Sequence, residues 1–482
     1  MSFSSALANA LSGLTASSRM ASIASSNIAN SLTEGYARRE LAMSPRAFTG
    51  GGVNLDGVVR HIDSALVTER RDIGASFSNA DTISTYRHRV ETIFGTPEDS
   101  YSLSATYAAF ETALVAAASR PDLPERLNAV LAAAGNVTNT LSTAQNRIQT
   151  LREEADAEIA TTVERANALL VQVDDLNTAV TETRNRGGDV SGLLDLRQSA
   201  VDELSEIVPV RSVPRDQGTI ALFTSGGAIL LDGAAAEFGF AATNVITPHQ
   251  TVTASLLSGL TINGNDVPLR DGGPIDGGRL AALFKIRDDL AVEAQTRVDA
   301  AARDLVERFQ DSGLDATRGL GDPGLFTDNG AAFLASDEVG LAGRISVNAL
   351  VDPAQGGATW RLRDGLGAAV PGDVGQASLL QDLKDVMTTQ RVPASVGFGP
   401  AAVSAAGMAS TILSLAGSER HLSEEVLGFA SARRSEVEER YLSEGVDTDQ
   451  EMQRLILVEQ SYAANARMVQ TIDEMMNILL RI

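Results

Sequence analysis

The chain has 482 residues, with 62 acidic against 39 basic side chains for a formal charge of −23, and no cysteine. That length supports two to four domains with a sizeable core. The charge repels phosphate backbones and anionic lipid surfaces, which argues against nucleic-acid and membrane-surface partners, and the missing thiols rule out disulfides, thiolate metal sites and cysteine nucleophiles. Only Lys285 and Lys384 are lysine, and the acid is spread without a long run, as on solvated helix faces. No run of about 18 apolar residues is present. The first thirty residues lack the basic start and apolar block of a cleavable signal, so any export requires another route.

In chain order, the first pattern is helical. Phe3, Leu7, Ala10, Leu14, Ser17, Ala21, Ala24 and Ile28 alternate at spacings of three and four, a narrow seam of small residues that permits close helix approach. After the Gly50-Gly51-Gly52 break and a short extended stretch through Val58-Val59-Arg60, a helix is predicted over 63–94, stopped by Gly95-Thr96-Pro97. Two shorter helices, 103–118 and 124–134, follow with Pro121 and Pro124 as punctuation. Residues 136–186 contain neither glycine nor proline. Leu141, Ile148, Leu151, Ala155, Ile159, Val163, Ala166, Leu170, Val173, Leu176 and Val180 form an apolar stripe along them. A continuous helix there spans about 75 Å at 1.5 Å per residue, and Gly187-Gly188 ends it.

Short β-prone runs then appear at Val208 to Val213, Thr219 to Thr224, Ala228 to Leu231 and Thr251 to Leu257, bounded by turn residues, which predicts a small inserted β domain. Gly277-Gly278 leads back into a helix through Leu280, Leu283, Arg287, Leu290, Ala294, Ala301 and Leu305. Residues 314–400 are rich in glycine and proline, with strands predicted at 344–347 and 359–362. Helical patterning resumes near Ser404 and runs through Ile412, Leu415, Leu422, Val426, Phe429 and Val437 to Leu442. Thr448 and Glu451 have the spacing of a capping box, so the last helix is predicted to begin just after Gly445 and run almost to Ile482. Its seam is Leu455, Val458, Tyr462, Asn465, Val469, Ile472, Met476 and Leu479. Asparagine at such a seam position fixes register and partner number at some cost in stability.

Catalytic constellations are not evident. His61, His88, His249 and His421 lie far apart without metal-ligand spacing. Glu153-Glu154 and Asp288-Asp289 fall on charged helix faces, where solvation is expected, and no Gly-x-Ser-x-Gly elbow occurs. Gly226-Gly227 and Gly272-Gly273 lack the partners of a phosphate cradle and are taken as turns. We therefore expect no enzyme activity, no cofactor and no metal.

The two ends carry the most specific signal. Leu11-Ser12-Gly13-Leu14, Asn27-Ile28-Ala29-Asn30 and Gly35-Tyr36-Ala37-Arg38 resemble the N-terminal signature of the axial proteins of the bacterial flagellum, the rod, hook and hook-associated proteins. Gln460-Ser461-Tyr462-Ala463-Ala464-Asn465-Ala466-Arg467 and Thr471-Ile472-Asp473-Glu474-Met475 look like that family's C-terminal signature. Within the family, Gly192 to Ser205, Gly277-Gly278-Arg279-Leu280 and Ile286-Arg287-Asp288 resemble the helical core of a hook-associated member. From periodicity alone, closure of an intramolecular bundle by the two ends fits equally well.

The resemblance implies a mainly α fold with an inserted β domain: terminal helices paired in a coiled-coil-like layer (1–60 with 445–482), a rod-like helical middle domain (61–206 with 277–444, including an irregular region 314–400) and a small outer β domain (207–276). It implies a structural subunit at the junction between hook and filament, carried there by the flagellar type III export route. Implied partners are copies of itself, the hook protein, a second hook-filament junction protein and an export chaperone on the C-terminal helix. The residues expected to carry assembly are Leu14, Asn27, Ile28, Asn30, Gly35, Tyr36 and Arg38 at one end, with Leu455, Val458, Tyr462, Asn465, Arg467, Val469, Ile472, Met476 and Leu479 at the other. Another axial subunit, or an acidic cytosolic coiled-coil scaffold, is the alternative.

Overall fold

The computed structural model describes residues 3–33, 35–46, 51–96 and 98–481. Gly50, Pro97 and Ile482, named above as breaks and an end, lie outside the described residues. The chain folds as a mainly α protein with a small β insert. Its first helix, α1 (Phe3–Ala29), packs along its last, α12 (Thr448–Leu479). Between them lies a hairpin of β1 (Arg39–Pro45) and β2 (Val53–Arg60), antiparallel with an irregularity between Ala42 and Met43, and it packs on α1. Only the second strand was expected; β1 contains Glu40, Ser44 and Pro45, which lower its β propensity.

The capping box at the start of α12 does not form. Asp447 is the cap, accepting hydrogen bonds from the backbone N–H of Asp449 (2.9 Å) and Gln450 (3.1 Å). Glu451 is thereby released for the contact described below.

Helix α2 (Ser64–Phe94) starts at an Asp63 cap and stops at Gly95, and α3 (Leu103–Ser119) starts at a Ser102 cap. Helix α4 (Pro124–Asn185) is a single element of 62 residues, about 93 Å long at 1.5 Å per residue. The break expected at Gly135 is absent: open space surrounds that glycine, while Val130, Ala134, Val137 and Thr138 on either side are buried and hold the helix through it. Helix α5 (Ser191–Ile207) returns along α4. The insert contains two small antiparallel sheets, β3 (Val210–Pro214), β4 (Ile220–Thr224) and β5 (Ile229–Leu231) in one, and β6 (Phe238–Gly239), β7 (Thr261–Ile262) and β8 (Asn265–Asp266) in the other. The strand expected over 251–257 is a turn, with Ser255 at φ 57°.

Gly278 starts α6 (Gly278–Lys285); a Cβ there would lie 2.4 Å from the Ile207 carbonyl oxygen, so the exit from the insert requires glycine. The helix continues through a π turn at Ile286–Leu290 into α7 (Ala291–Gln310). In 314–400, β9 (Phe326–Asp328) pairs with β10 (Ile345–Val347) after the single turn α8 (Leu341–Arg344). The strand expected at 359–362 is instead occupied by the start of a helical turn, α9 (Arg361–Asp364), and α10 (Ser378–Thr388) was not expected at all. Helix α11 (Ala405–Ser443) runs along α2. Its core-facing residues are Met408, Ala409, Ile412, Ala416 and Val437, whereas Leu422, Val426 and Phe429 of the predicted stripe are exposed.

Two apolar cores form along α4. One joins its first half to α3, α7 and α10 around Phe110, Phe309 and Phe326, whose ring centroids lie 5.1 to 5.8 Å apart. The other joins Ile159, Val163, Leu170 and Val173 to α5, α6 and the insert. Charge also enters the interior, against the reading of Glu153 and Asp288 as solvated. Glu153 accepts from the Ile246 N–H at 3.1 Å, and Asp288 pairs with the fully buried Arg287.

Candidate assembly surface

The seam between α1 and α12 is close because one member is glycine. The Asn465 amide lies against Gly13, so near that a Cβ on Gly13 would meet it at 2.7 to 2.8 Å, and Asn465 Nδ2 donates to its own helix at Ser461 O (3.0 Å). One turn away, Ser17 Oγ donates to Ser461 Oγ at 3.4 Å. Ala10, Ala16 and Ala24 are buried. Of the residues singled out above, Ile472 is buried; Leu14, Ile28, Leu455, Val458, Asn465 and Val469 are half-buried; Tyr462, Arg467, Met476 and Leu479 are exposed. The pair thus covers one side of each helix. Phe3, Leu11, Met452, Ile456, Leu457, Met468, Ile478 and Leu480 also remain exposed, an apolar surface beyond what isolated surface residues make.

At the other end of α1 the motif residues converge on one joint. Asn27 is wholly buried: its Oδ1 accepts from Tyr36 Oη (2.9 Å) and the Arg39 N–H (3.1 Å), while Nδ2 donates to Arg39 O (2.9 Å). Its polar groups are thus satisfied inside the chain, and they fix the turn that feeds β1. Asn30 Nδ2 donates back to Ser26 O (2.9 Å) at the helix end. Gly35, at φ 76°, sits where a Cβ would be 2.3 Å from Ser199 Oγ, bringing the turn onto α5. Arg38 Nε donates to Glu451 Oε1 at 2.9 Å, and that carboxylate is nearly inaccessible, so this ion pair ties the N-terminal turn to the start of α12.

Five residues that sequence reasoning did not single out for assembly, Arg39, Arg60, Asp195, Gln198 and Tyr441, complete the joint. Asp195 receives Arg39 Nη2 (2.5 Å) and Arg60 Nη2 (2.6 Å), and its Oδ1 accepts from the Ala37 N–H (3.4 Å). Arg60 also donates to Gln198 Oε1 (3.1 Å), whose Nε2 donates to Tyr441 Oη (3.0 Å), reaching α11. The Arg39 guanidinium lies 4.6 Å over the Tyr36 ring. Burial pushes the Tyr36 phenol above its ordinary range, only partly offset by Arg39. Asp195 lay within the quoted Gly192 to Ser205 block, but nothing in the sequence marked its partners. Such paired charges specify geometry more than they add stability.

This joint yields a graded prediction. Tyr36→Phe removes one of two donors to Asn27 Oδ1 and should cost about 1 kcal/mol, whereas Asn27→Leu strands the Arg39 N–H and C=O and should cost about 2 kcal/mol or more. Urea midpoints of the two variants test the order; equal losses would contradict it.

Among the described residues no group of three or more His, Asp or Glu side chains is placed to hold a metal ion, and no helix is long and apolar enough to cross a membrane. Residues 441–482, which contain α12, match the family described as the flagellar basal body rod FlgEFG protein C-terminal, so this segment is similar to the C-terminal part of flagellar axial proteins. Residues 87–325 match the flagellar hook-associated protein FlgK helical domain. Two separate stretches of the chain are thus similar to flagellar axial proteins, the longer of them to the helical domain of flagellar hook-associated proteins.

Its relatives include flagellar hook-associated protein 1 of Salmonella typhimurium, 26% identical over 260 residues that make up 52% of this chain and 47% of the relative. The protein of the same name in Escherichia coli is 25% identical over 260 residues, with the same coverage. That of Bacillus subtilis is 24% identical over 241 residues, 47% of each chain. The chain thus matches about half the length of these curated relatives. A solved structure, the flagellar hook junction protein FlgK from Burkholderia pseudomallei, aligns at 19% identity and a TM-score of 0.45, covering 54% of this chain and 46% of that one.

Proposed function

We propose that the chain is a structural subunit of the bacterial flagellum, forming the junction between hook and filament by axial self-assembly through both terminal helices. The observation that carries this reading is the α1–α12 pair, half-covered in the single chain, with the apolar side chains from Phe3 to Leu480 described above left exposed. A surface of that kind is stable in water once neighbouring copies cover it. In this proposal 1–60 with 445–482 form the axial layer, 61–206 with 277–444 the helical middle and 207–276 the outer insert. Copies of the chain lie around the ring, the hook protein lies beneath and a second junction protein above. Before export a chaperone covers the exposed face of α12, as amphipathic helices are covered in grooves. No catalytic role belongs to this reading.

Asn465, packed against Gly13 in the seam, is assigned the setting of register. Purified protein mixed with isolated, filament-less hooks should add a cap of density at the distal end in negative-stain electron microscopy. Asn465→Leu should fold, with unchanged circular dichroism, yet cap at least several-fold fewer hooks. Bare hooks with the unmodified chain, in a preparation that a known junction protein does cap, would overturn the assignment.

A further inference from the structure

Positive charge is scarce in this chain, yet one place has more guanidinium than carboxylate can neutralise. Asp195 is shared between Arg39 and Arg60, and Asp202 between Arg70 and Arg71, with Glu438 reaching only Arg70 at 3.6 Å. Beside them stand two more arginines, Arg184 in the last turn of α4 and Arg197 in α5. Among the described residues neither has a carboxylate within 4.0 Å.

Both arginines flank the same turn, between β3 and β4. Arg197 Nη1 donates to Gly218 O and to Asn177 Oδ1, each at 2.8 Å, and Asn177 is itself fixed by its bonds to both backbone groups of Ile220 (2.9 and 3.1 Å). Arg184 lies flat on the glycine, since a Cβ on Gly218 would be 2.4 Å from its Nη1. Gly218 has φ 83°, a conformation that leaves its Cα face bare for that approach. Arg197 is 8% exposed, and its side-chain hydrogen bonds among the described residues are all made by Nη1. Burial, together with Arg60, Arg184 and Arg71, holds its pKa down to about 10, the direction expected of a cation lacking a counter-charge. Arg152, wholly buried, differs in its hydrogen bonds: its donors are taken by the carbonyls of Arg287, Thr247 and Gln250 and by Gln149.

We propose that Arg184 and Arg197, on either side of Gly218, form a binding site for an oxyanion, either a free phosphate or a carboxylate presented by another acidic chain. Planar guanidinium donors match both oxyanions, and anchoring one of them against Asn177 and Gly218 O lowers the entropy of ordering the site.

The test is calorimetric titration of the full chain with inorganic phosphate at constant ionic strength, repeated with a short glutamate-rich peptide. Saturable binding is expected for the unmodified chain and for Arg186→Gln, a nearby surface arginine paired with Glu182. Binding should weaken at least tenfold in Arg184→Gln and Arg197→Gln. Arg197→Gln loses two internal bonds and could loosen the turn, whereas Arg184 makes none, so Arg184→Gln carries the decision. A peptide that competes with phosphate identifies a protein carboxylate as an occupant; a peptide that does not compete restricts the site to free anion. No saturable binding by either probe, or unchanged binding in Arg184→Gln, overturns the proposal.

Discussion

Replacing Arg287 by methionine is expected to cost the fold about 3–5 kcal/mol, as breaking a buried ion pair from one side does. Arg287 is wholly buried and Asp156 nearly so, with Nη1 and Oδ1 2.6 Å apart. The guanidinium also donates to Ser258 O of the insert (2.9 Å), binds Asp288 at 2.8 and 2.9 Å, and lies 5.4 and 5.0 Å from the Phe240 and Phe284 ring centroids. Without it, Asp156 keeps the Thr243 N–H at 2.5 Å but no counter-ion, inside a core where charge is poorly solvated. The loss should appear as a lower urea midpoint. Amide exchange should accelerate first over 243–258, the segment that Arg287 and Asp156 hold to α4. The double variant Arg287→Met, Asp156→Leu should recover much of the loss, because the stranded carboxylate leaves with its partner. A single-variant cost under about 1 kcal/mol would show that water or local movement compensates the charge.

That cluster also marks where the sequence stops being readable. The long apolar stripe of α4 could be followed residue by residue, and every member named in it is buried except the half-buried Leu176. Periodicity counts apolar positions, so it passed over Arg152 and Arg308 and placed Arg287 in a helical seam without showing what it binds; all three fill the same interior by bonding to carbonyls and carboxylates distant in sequence. The turn over 251–257 has β-prone residues, yet no strand lies there, and Arg152 holds the neighbouring Gln250 carbonyl. Local propensity yields to such tertiary contacts. The stripe expected in α11 joined two different faces: Ile412 and Val437 pack inward, while Leu422, Val426 and Phe429 point away from α2. At the joint of the ends, the motif of Asn27, Gly35, Tyr36 and Arg38 was legible. Its counterparts Asp195 and Glu451 were not, because Glu451 has the spacing of a capping residue and the pairing spans 413 positions of chain.

Gly13→Leu should open the terminal pair and, under the junction reading proposed above, abolish capping of hooks. Alanine is the weaker test, since its helix propensity gains about 1 kcal/mol over glycine while its single methyl displaces only the flexible end of Asn465. Leucine has no such escape. Its branch must occupy the space of the Asn465 amide, flanked by the Ser17–Ser461 contact and by buried Ala10 and Ala16, so the helix axes must separate. The pair can tolerate little separation, because none of the apolar clusters of the described residues lies within it; its members are mostly half-buried and depend on close approach. Helices α2 to α11 have cores of their own and should remain folded. Limited proteolysis should therefore cut rapidly within 3–29 and 448–479 while leaving a resistant fragment between them. If Gly13→Leu protects its ends as well as the unmodified chain does, the close seam at Asn465 is not what holds α1 to α12, and the Arg38–Glu451 pair with the hairpin joint must hold them together without it.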